Sequence, residues 1–208
     1  DKLDYPSRTI ITGEGGALAT NNTKLAEKVK KLSLHGITKD GWNRFKTNGK
    51  WEYDIMELGY KYNLTDYAAS FGLWQLKQVS KWQDRRRQIV EYYNKALKDV
   101  NGIKLPSIND GHAMHLYVIQ LVIEKWDISR NHFIEKMNNR GIGLAVHYKP
   151  IHKLSFYKHR YNLDYNDYPI ANSIYNRIVT LPLYPSLQNK EIDYITNSIL
   201  ELCEEYVK

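Results

Sequence analysis

Gly59-Tyr60-Lys61-Tyr62-Asn63-Leu64-Thr65-Asp66 is the stretch on which the fold turns. It gathers three residues that favour helix starts, Asn63, Thr65 and Asp66, just ahead of an apolar pattern at helical spacing. The pattern predicts a helix over about 64–80, with an inward stripe of Leu64, Ala68, Phe71 or Gly72, Leu76 and Val79. Small side chains at Ala68, Ala69, Ser70 and Gly72 would let another element pack closely. A helix start also carries unpaired N–H groups and the positive end of the helix dipole. Asn63 therefore has two readings, a cap on the helix or a contact to a phosphate.

Upstream, Thr9–Thr20 reads as two short β-type runs around Gly13-Glu14-Gly15-Gly16, a hairpin-like unit. The glycine run lacks the Lys-Ser/Thr of a phosphate loop and the strand-to-helix context of a dinucleotide site, so a turn is its plainer reading. Asn22-Thr23 offers a cap to a helix carrying Leu25, Val29 and Leu32, and His35-Gly36 stops it. Residues 37–60 have no periodicity but hold Trp42, Phe45, Trp51 and Tyr53, which suits a packed or interfacial loop.

Downstream, a separate helix is expected over about 84–100, and Asn101-Gly102 marks a boundary. The pattern then turns to α+β. Strands are expected at 102–108, 116–123 and 144–148, and a helix capped by Ser129 runs through Asn139. Weak helix at 167–179, an extended 181–185 and an amphipathic helix through Ile192, Ile195, Ile199 and Leu202 complete the chain. His147-Tyr148-Lys149-Pro150-Ile151-His152 sets two imidazoles five residues apart. Without cysteines or carboxylates nearby they make a poor zinc set. An anion-binding cleft and a pair of partly buried, backbone-bonded histidines both remain open.

Composition narrows the classes. The 208 residues suffice to bury a core, and 42% hydrophobic with 25% charged residues is the balance of a globular protein. No run approaches the length of a membrane span, and Asp1–Pro6 has no apolar signal-peptide core. Cys203, the single cysteine, excludes an internal disulfide, and a reducing, cytoplasmic setting is expected. The net charge of +7 with 17 tyrosines could suggest a nucleic-acid surface, yet the charge is spread along the chain and only Arg85-Arg86-Arg87 is dense. Neither nucleic acid nor membrane is expected as a partner.

From about Thr9 onward the chain resembles the sugar aminotransferases of the DegT/DnrJ/EryC1/StrS type, pyridoxal-phosphate enzymes of the aspartate aminotransferase fold. The motifs are Thr12–Ala17, His35-Gly36, Gly59–Asp66 with Ala68-Ala69 and Gln75-Leu76, Val146–His152, and Leu181-Pro182-Leu183-Tyr184-Pro185, in that order. The resemblance implies an α/β enzyme of which this chain is an α+β portion. Residues 1–100 would be the C-terminal part of the large, cofactor-binding domain with linking helices, and 101–208 the small C-terminal domain. It further implies amino transfer, usually from glutamate, to a keto group on a nucleotide-linked sugar, in surface glycan or polysaccharide biosynthesis. Asn63 matches a position that reaches the cofactor phosphate of a neighbouring subunit, which implies a homodimer. His147 matches a position near the sugar nucleotide, with Tyr148 and His152 bordering it.

One motif position departs from the family. Where the family carries the Schiff-base lysine this chain has Arg8, and a guanidinium that stays protonated cannot replace an amine. No catalytic residue is therefore assigned, no metal is expected, and the chain alone is expected not to transaminate. The family's chain is about twice as long, in line with a multi-layer α/β enzyme. The helices at 23–34 and 64–80 are then expected to turn apolar stripes toward a partner, a rearranged core or water, and to promote self-association. The alternative is a non-catalytic interaction or scaffold protein derived from the same fold.

Overall fold

A computed structural model describes residues 9–37 and 53–208 of the chain. Arg8, Trp42, Phe45 and Trp51 lie outside the described residues. Two compact units are distinguished, Ile10–Lys77 and one that includes Gln78–Lys208.

In the first unit, helix α1 (Thr23–Leu32) starts as the sequence indicates, with Asn22 Oδ1 accepting from the Leu25 N–H at 3.1 Å. The chain leaves it through His35 and Gly36, both at positive φ. A Cβ on Gly36 would lie 1.9 Å from the Glu57 carbonyl oxygen, and one on Gly59 would lie 2.1 Å from the Gly36 nitrogen. Glycine at both places thus permits a backbone-on-backbone approach that no other residue allows. Tyr60 N–H donates to the Leu32 carbonyl at 2.7 Å, His35 N–H to the Tyr60 carbonyl at 2.9 Å, and Tyr62 N–H to the Ser33 carbonyl at 2.8 Å. These bonds pin the Gly59–Asp66 motif to the end of α1.

The hairpin expected over 9–20 does not form, and no strand is assigned there. Ile11 instead finds its partner in a side chain. Its N–H donates to Gln75 Oε1 at 2.9 Å, and its carbonyl accepts from Gln75 Nε2. One amide group satisfies both backbone groups as a neighbouring strand would, and so removes the need for pairing.

The two helices expected at 64–80 and 84–100 are one helix, α2 (Asp66–Leu97). Lys81-Trp82-Gln83 contains neither glycine nor proline, so nothing interrupts the hydrogen-bond ladder where a break was expected. The two compact units divide within this helix, after Lys77. The reason is burial: Ile89, Val90, Tyr93 and Leu97 are core residues of the second unit.

That unit is built on a three-stranded antiparallel sheet in the order β1 (Ile103–Lys104), β2 (Tyr117–Leu121), β3 (Ile178–Leu181). β2 and β3 are in register with Tyr117 opposite Leu181 and Val118 opposite Thr180. Helices α3 (Arg130–Asn139), α4 (Ser155–Tyr161), α5 (Pro169–Tyr175) and α6 (Asn189–Tyr206) complete it. α3 begins at the expected cap, Ser129 Oγ accepting from the His132 N–H at 3.2 Å. α6 begins with a reciprocal cap in which Gln188 N–H donates to Glu191 Oε2 at 2.7 Å. Phe133, Ile119, Leu181, Ile192 and Ile199 are wholly buried in one core.

Two expectations in this unit change. Residues 144–148 are not a strand; only Ala145 bridges, to Thr180 at the edge of β3. The helix expected over 167–179 stops at Tyr175, and Ile178 opens β3. Ile178–Leu181 is an unbroken apolar and β-branched run buried along its whole length, which favours the sheet. Among the described residues no helix is long and apolar enough to cross a membrane.

Candidate functional site

The motif residues fall in two places, one in each unit. In the first unit a cavity of about 910 Å³ is lined by Thr12, Gly15, Ser33, Tyr60, Asn63 and Thr65, among others. The glycine turn and the helix start, read separately in sequence, thus share one wall. Of the two readings of Asn63, capping goes to its neighbour. Thr65 Oγ1 accepts from the Ala68 N–H at 3.2 Å and caps α2. Half-buried Asn63 instead accepts the Lys61 ammonium at Oδ1. Its Nδ2 remains a donor on the cavity wall, beside the positive end of a long helix.

The turn is shaped by glycine. Gly15 has φ +151, and a Cβ there would meet Thr12 Oγ1 at 2.7 Å and Leu64 Cδ1 at 2.9 Å. Thr12 Oγ1 donates to the Glu14 carbonyl at 3.0 Å and closes the turn. Tyr60 and Tyr62 stack with ring centroids 4.9 Å apart. The wall therefore offers amide, hydroxyl and aromatic groups, and among the described residues no lysine lines it. Such a donor set suits the phosphate end of an anionic cofactor, and the described lining residues supply no amine to bond it covalently.

In the second unit His147 sits just past the Ala145 bridge. Its Nδ1 is 2.9 Å from Thr180 Oγ1, and the Tyr148 ring meets it edge-on at 4.7 Å. Burial, with the nearby His115 adding, holds its pKa below the usual histidine range. Tyr148 is exposed. His152 is buried and internally bonded: Nε2 lies 2.8 Å from Asn172 Oδ1, and the ring stacks on Tyr168 at 4.4 Å. Asn172 in turn donates to the Tyr165 carbonyl at 2.7 Å. His147 and His152 thus have different partners. Among the described residues no group of three or more potential ligands could hold a metal ion.

Three supporting residues escape the sequence patterns. Arg86 is buried, donates to the Leu183 carbonyl at 2.9 Å, and has its pKa lowered by burial. The Tyr93 hydroxyl donates to the Pro182 carbonyl at 2.9 Å. Thr180 holds His147. The Leu181–Pro185 motif pointed toward this region, but sequence could not say that a helix a hundred residues upstream grips its backbone.

Comparison with known proteins identifies the family. Residues 5–200 match the DegT/DnrJ/EryC1/StrS aminotransferase family. The chain is 36% identical over 201 residues to the spore coat polysaccharide biosynthesis protein SpsC of Bacillus subtilis, covering 95% of this chain and 52% of that protein. It superposes on Helicobacter pylori PseC, an aminotransferase involved in pseudoaminic acid biosynthesis, with a TM-score of 0.83 at 27% identity. That match covers 95% of this chain and 51% of the other. The putative sugar aminotransferase Spr1654 of Streptococcus pneumoniae in its PMP-form gives a TM-score of 0.78 at 32% identity, over 91% of this chain and 47% of the other, and is known also in a PLP-form. The chain spans about half the length of these relatives. With the family matched over nearly its whole length and the same fold in sugar aminotransferases, the chain belongs to the DegT/DnrJ/EryC1/StrS aminotransferase family.

Proposed function

We propose that these residues form part of a pyridoxal-phosphate-dependent aminotransferase that moves an amino group from glutamate to a nucleotide-linked keto sugar for surface glycan or polysaccharide synthesis. The observation that carries this reading is the family match over residues 5–200, joined to the placement of Asn63 on a cavity wall at a helix start. When bound, pyridoxal phosphate supplies the electron sink for the transfer. Asn63 would hold its phosphate in a neighbouring subunit of a homodimer, as a donor kept in place by Lys61. His147 and Tyr148 would border the sugar nucleotide, and His152 would border it from beneath, steadying the turn through Asn172 and Tyr168. Residues 1–100 would end the large domain, and 101–208 would be the small one. The setting proposed is cytoplasmic.

The 208-residue polypeptide taken alone would not transaminate, because the Schiff-base lysine position carries Arg8. Titrating the purified chain with pyridoxal phosphate, then reducing with borohydride and weighing the product, tests this. The expected result is cofactor bound without covalent attachment to any single lysine. A band of the lysine-linked cofactor, with its mass fixed to one lysine after reduction, would overturn the assignment of Arg8.

A second reading, a non-catalytic interaction protein, is favoured by one observation. Leu64, Phe71, Leu73 and Leu76, around the start of α2, are all exposed in the first unit. Sedimentation at micromolar concentration bears on it: a dimer fits either reading, and a clean monomer that binds no pyridoxal phosphate would sink both.

A further inference from the structure

His147 is held through Nδ1 by a single hydroxyl, and its orientation depends on a residue that no motif reading assigned a role. Thr180 lies in β3 and is 2% exposed. Its backbone is held on the side away from β2 by Ala145: Thr180 N–H donates to the Ala145 carbonyl at 2.8 Å, and Ala145 N–H donates back at 3.4 Å. On its other side it stands opposite Val118 in the β2–β3 register. With both flanks fixed, the Thr180 hydroxyl has little freedom to move, and it meets His147 Nδ1 at 2.9 Å.

An imidazole has two ring nitrogens, and a partner that holds one of them fixes where the other points. We propose that Thr180 is a positioning residue: it holds Nδ1 of His147, fixes one ring orientation, and leaves Nε2 as the atom that meets a sugar-nucleotide hydroxyl. The naming of that ligand rests on the proposed function; the coupling of Thr180 to the ring does not. The groups that face the ring are Thr180 from β3, the Tyr148 ring from its own segment, and His115, whose charge opposes protonation of His147. A positively charged ring is disfavoured there, which suits a neutral hydrogen-bonding role over that of an ion-pair partner.

The test is the ¹⁵N and ¹H NMR titration of the histidine rings in the full 208-residue chain without any ligand, in wild type, Thr180→Val and Thr180→Ser. Thr180→Val keeps the shape and removes the hydroxyl. It is expected to lower the population of the hydrogen-bonded ring orientation by about threefold or more, read from the His147 Nδ1 chemical shift, the change a net hydrogen bond of ordinary strength implies. Thr180→Ser is expected to restore the wild-type Nδ1 shift, which a merely structural role of the threonine would not require. A His147 ring unchanged in Thr180→Val would overturn the proposal. So would a wild-type Nδ1 resonance identical to that of a fully solvated imidazole, a check that needs no variant to fold. Because no cofactor or substrate is present, a failure of the aminotransferase reading would leave these spectra unmoved and is told apart from a failure of the Thr180 assignment.

Discussion

The second unit holds its shape with side chains and the first with backbone. In Gln78–Lys208 the helical segment Ile89–Leu97, the sheet and helices α3 and α6 share one core of wholly buried apolar residues. In Ile10–Lys77, Gly36 and Ile37 are the buried positions among the described residues, and α1 buries none of its length. Close glycine contacts, the Gln75 amide and three backbone bonds at the end of α1 define it instead. Burial of apolar area is the dominant favourable term in folding, so cooperative stability should reside in the second unit. The first unit, which carries Asn63 and its cavity, should depend more on what covers it.

The sharpest way to break this comparison is a pair of large-to-small substitutions. Phe133 is wholly buried and packs edge-on against Trp126 at 5.3 Å. Phe133→Ala should cost about 3–5 kcal/mol in urea unfolding. Leu73, at 63% exposure, should change stability by less than about 0.5 kcal/mol when replaced by alanine. Equal losses at the two positions would show that Leu73 is covered in solution and that the two units are stabilised alike.

A pH measurement probes the same core through Cys203, whose thiol is pushed up to about 12 by burial and the neighbouring Glu204. A thiol in the unfolded chain has an ordinary pKa near 9. The folded value is the raised one, so the stability it brings is present below about pH 9 and is lost as pH climbs toward 12. The slope should reach at most about 1.4 kcal/mol per pH unit, one proton's worth. Cys203→Ala should remove that slope while leaving the contribution of the tyrosines and lysines. Identical pH dependence in both chains would mean that the thiol is solvated in the folded state.

In the first unit the corresponding break is Gly36→Ala. The new Cβ would meet the Glu57 carbonyl, and φ of +72 is itself unfavourable for alanine. A strain of about 1–3 kcal/mol is expected. It should appear as faster amide exchange at His35, Tyr60 and Tyr62, with no change in the exchange of Val118–Leu121. A global loss spread evenly over both units would contradict their separation.

Legibility in the sequence follows the same divide. Where one face is buried, the pattern of apolar residues carried the answer: the cap at Ser129 and the terminal helix are where spacing puts them. It failed where side chains do the work of backbone. Gln75 replaces the strand partner that Thr9–Thr20 seemed to need, and no local pattern announces a bond across 64 residues. It left Asn63 open, because the cap-type residues Asn63, Thr65 and Asp66 cannot be ranked until Thr65 is seen to cap. The grip of Arg86 and Tyr93 on the Leu181–Pro185 backbone was equally silent, since each contact spans most of the second unit.

The smallest expected effect refines the comparison most, because it separates local from cooperative stability. Asn22 caps α1 by accepting the Leu25 N–H, and Asn22→Ala would leave that donor to water, at a typical cost of about 1 kcal/mol for a lost cap. Ser129 makes the same bond to His132 at the start of α3, a helix whose Phe133 and Met137 lie in the core. The chemistry is matched and the settings are not. If the second unit is the cooperative one, Ser129→Ala should lower the global urea midpoint. Asn22→Ala should leave that midpoint unchanged and raise exchange only along Thr23–Leu32. Should Asn22→Ala shift the midpoint as much, α1 would have to be part of the cooperative core. The apolar residues of the first unit would then be covered in solution by a second copy or another partner.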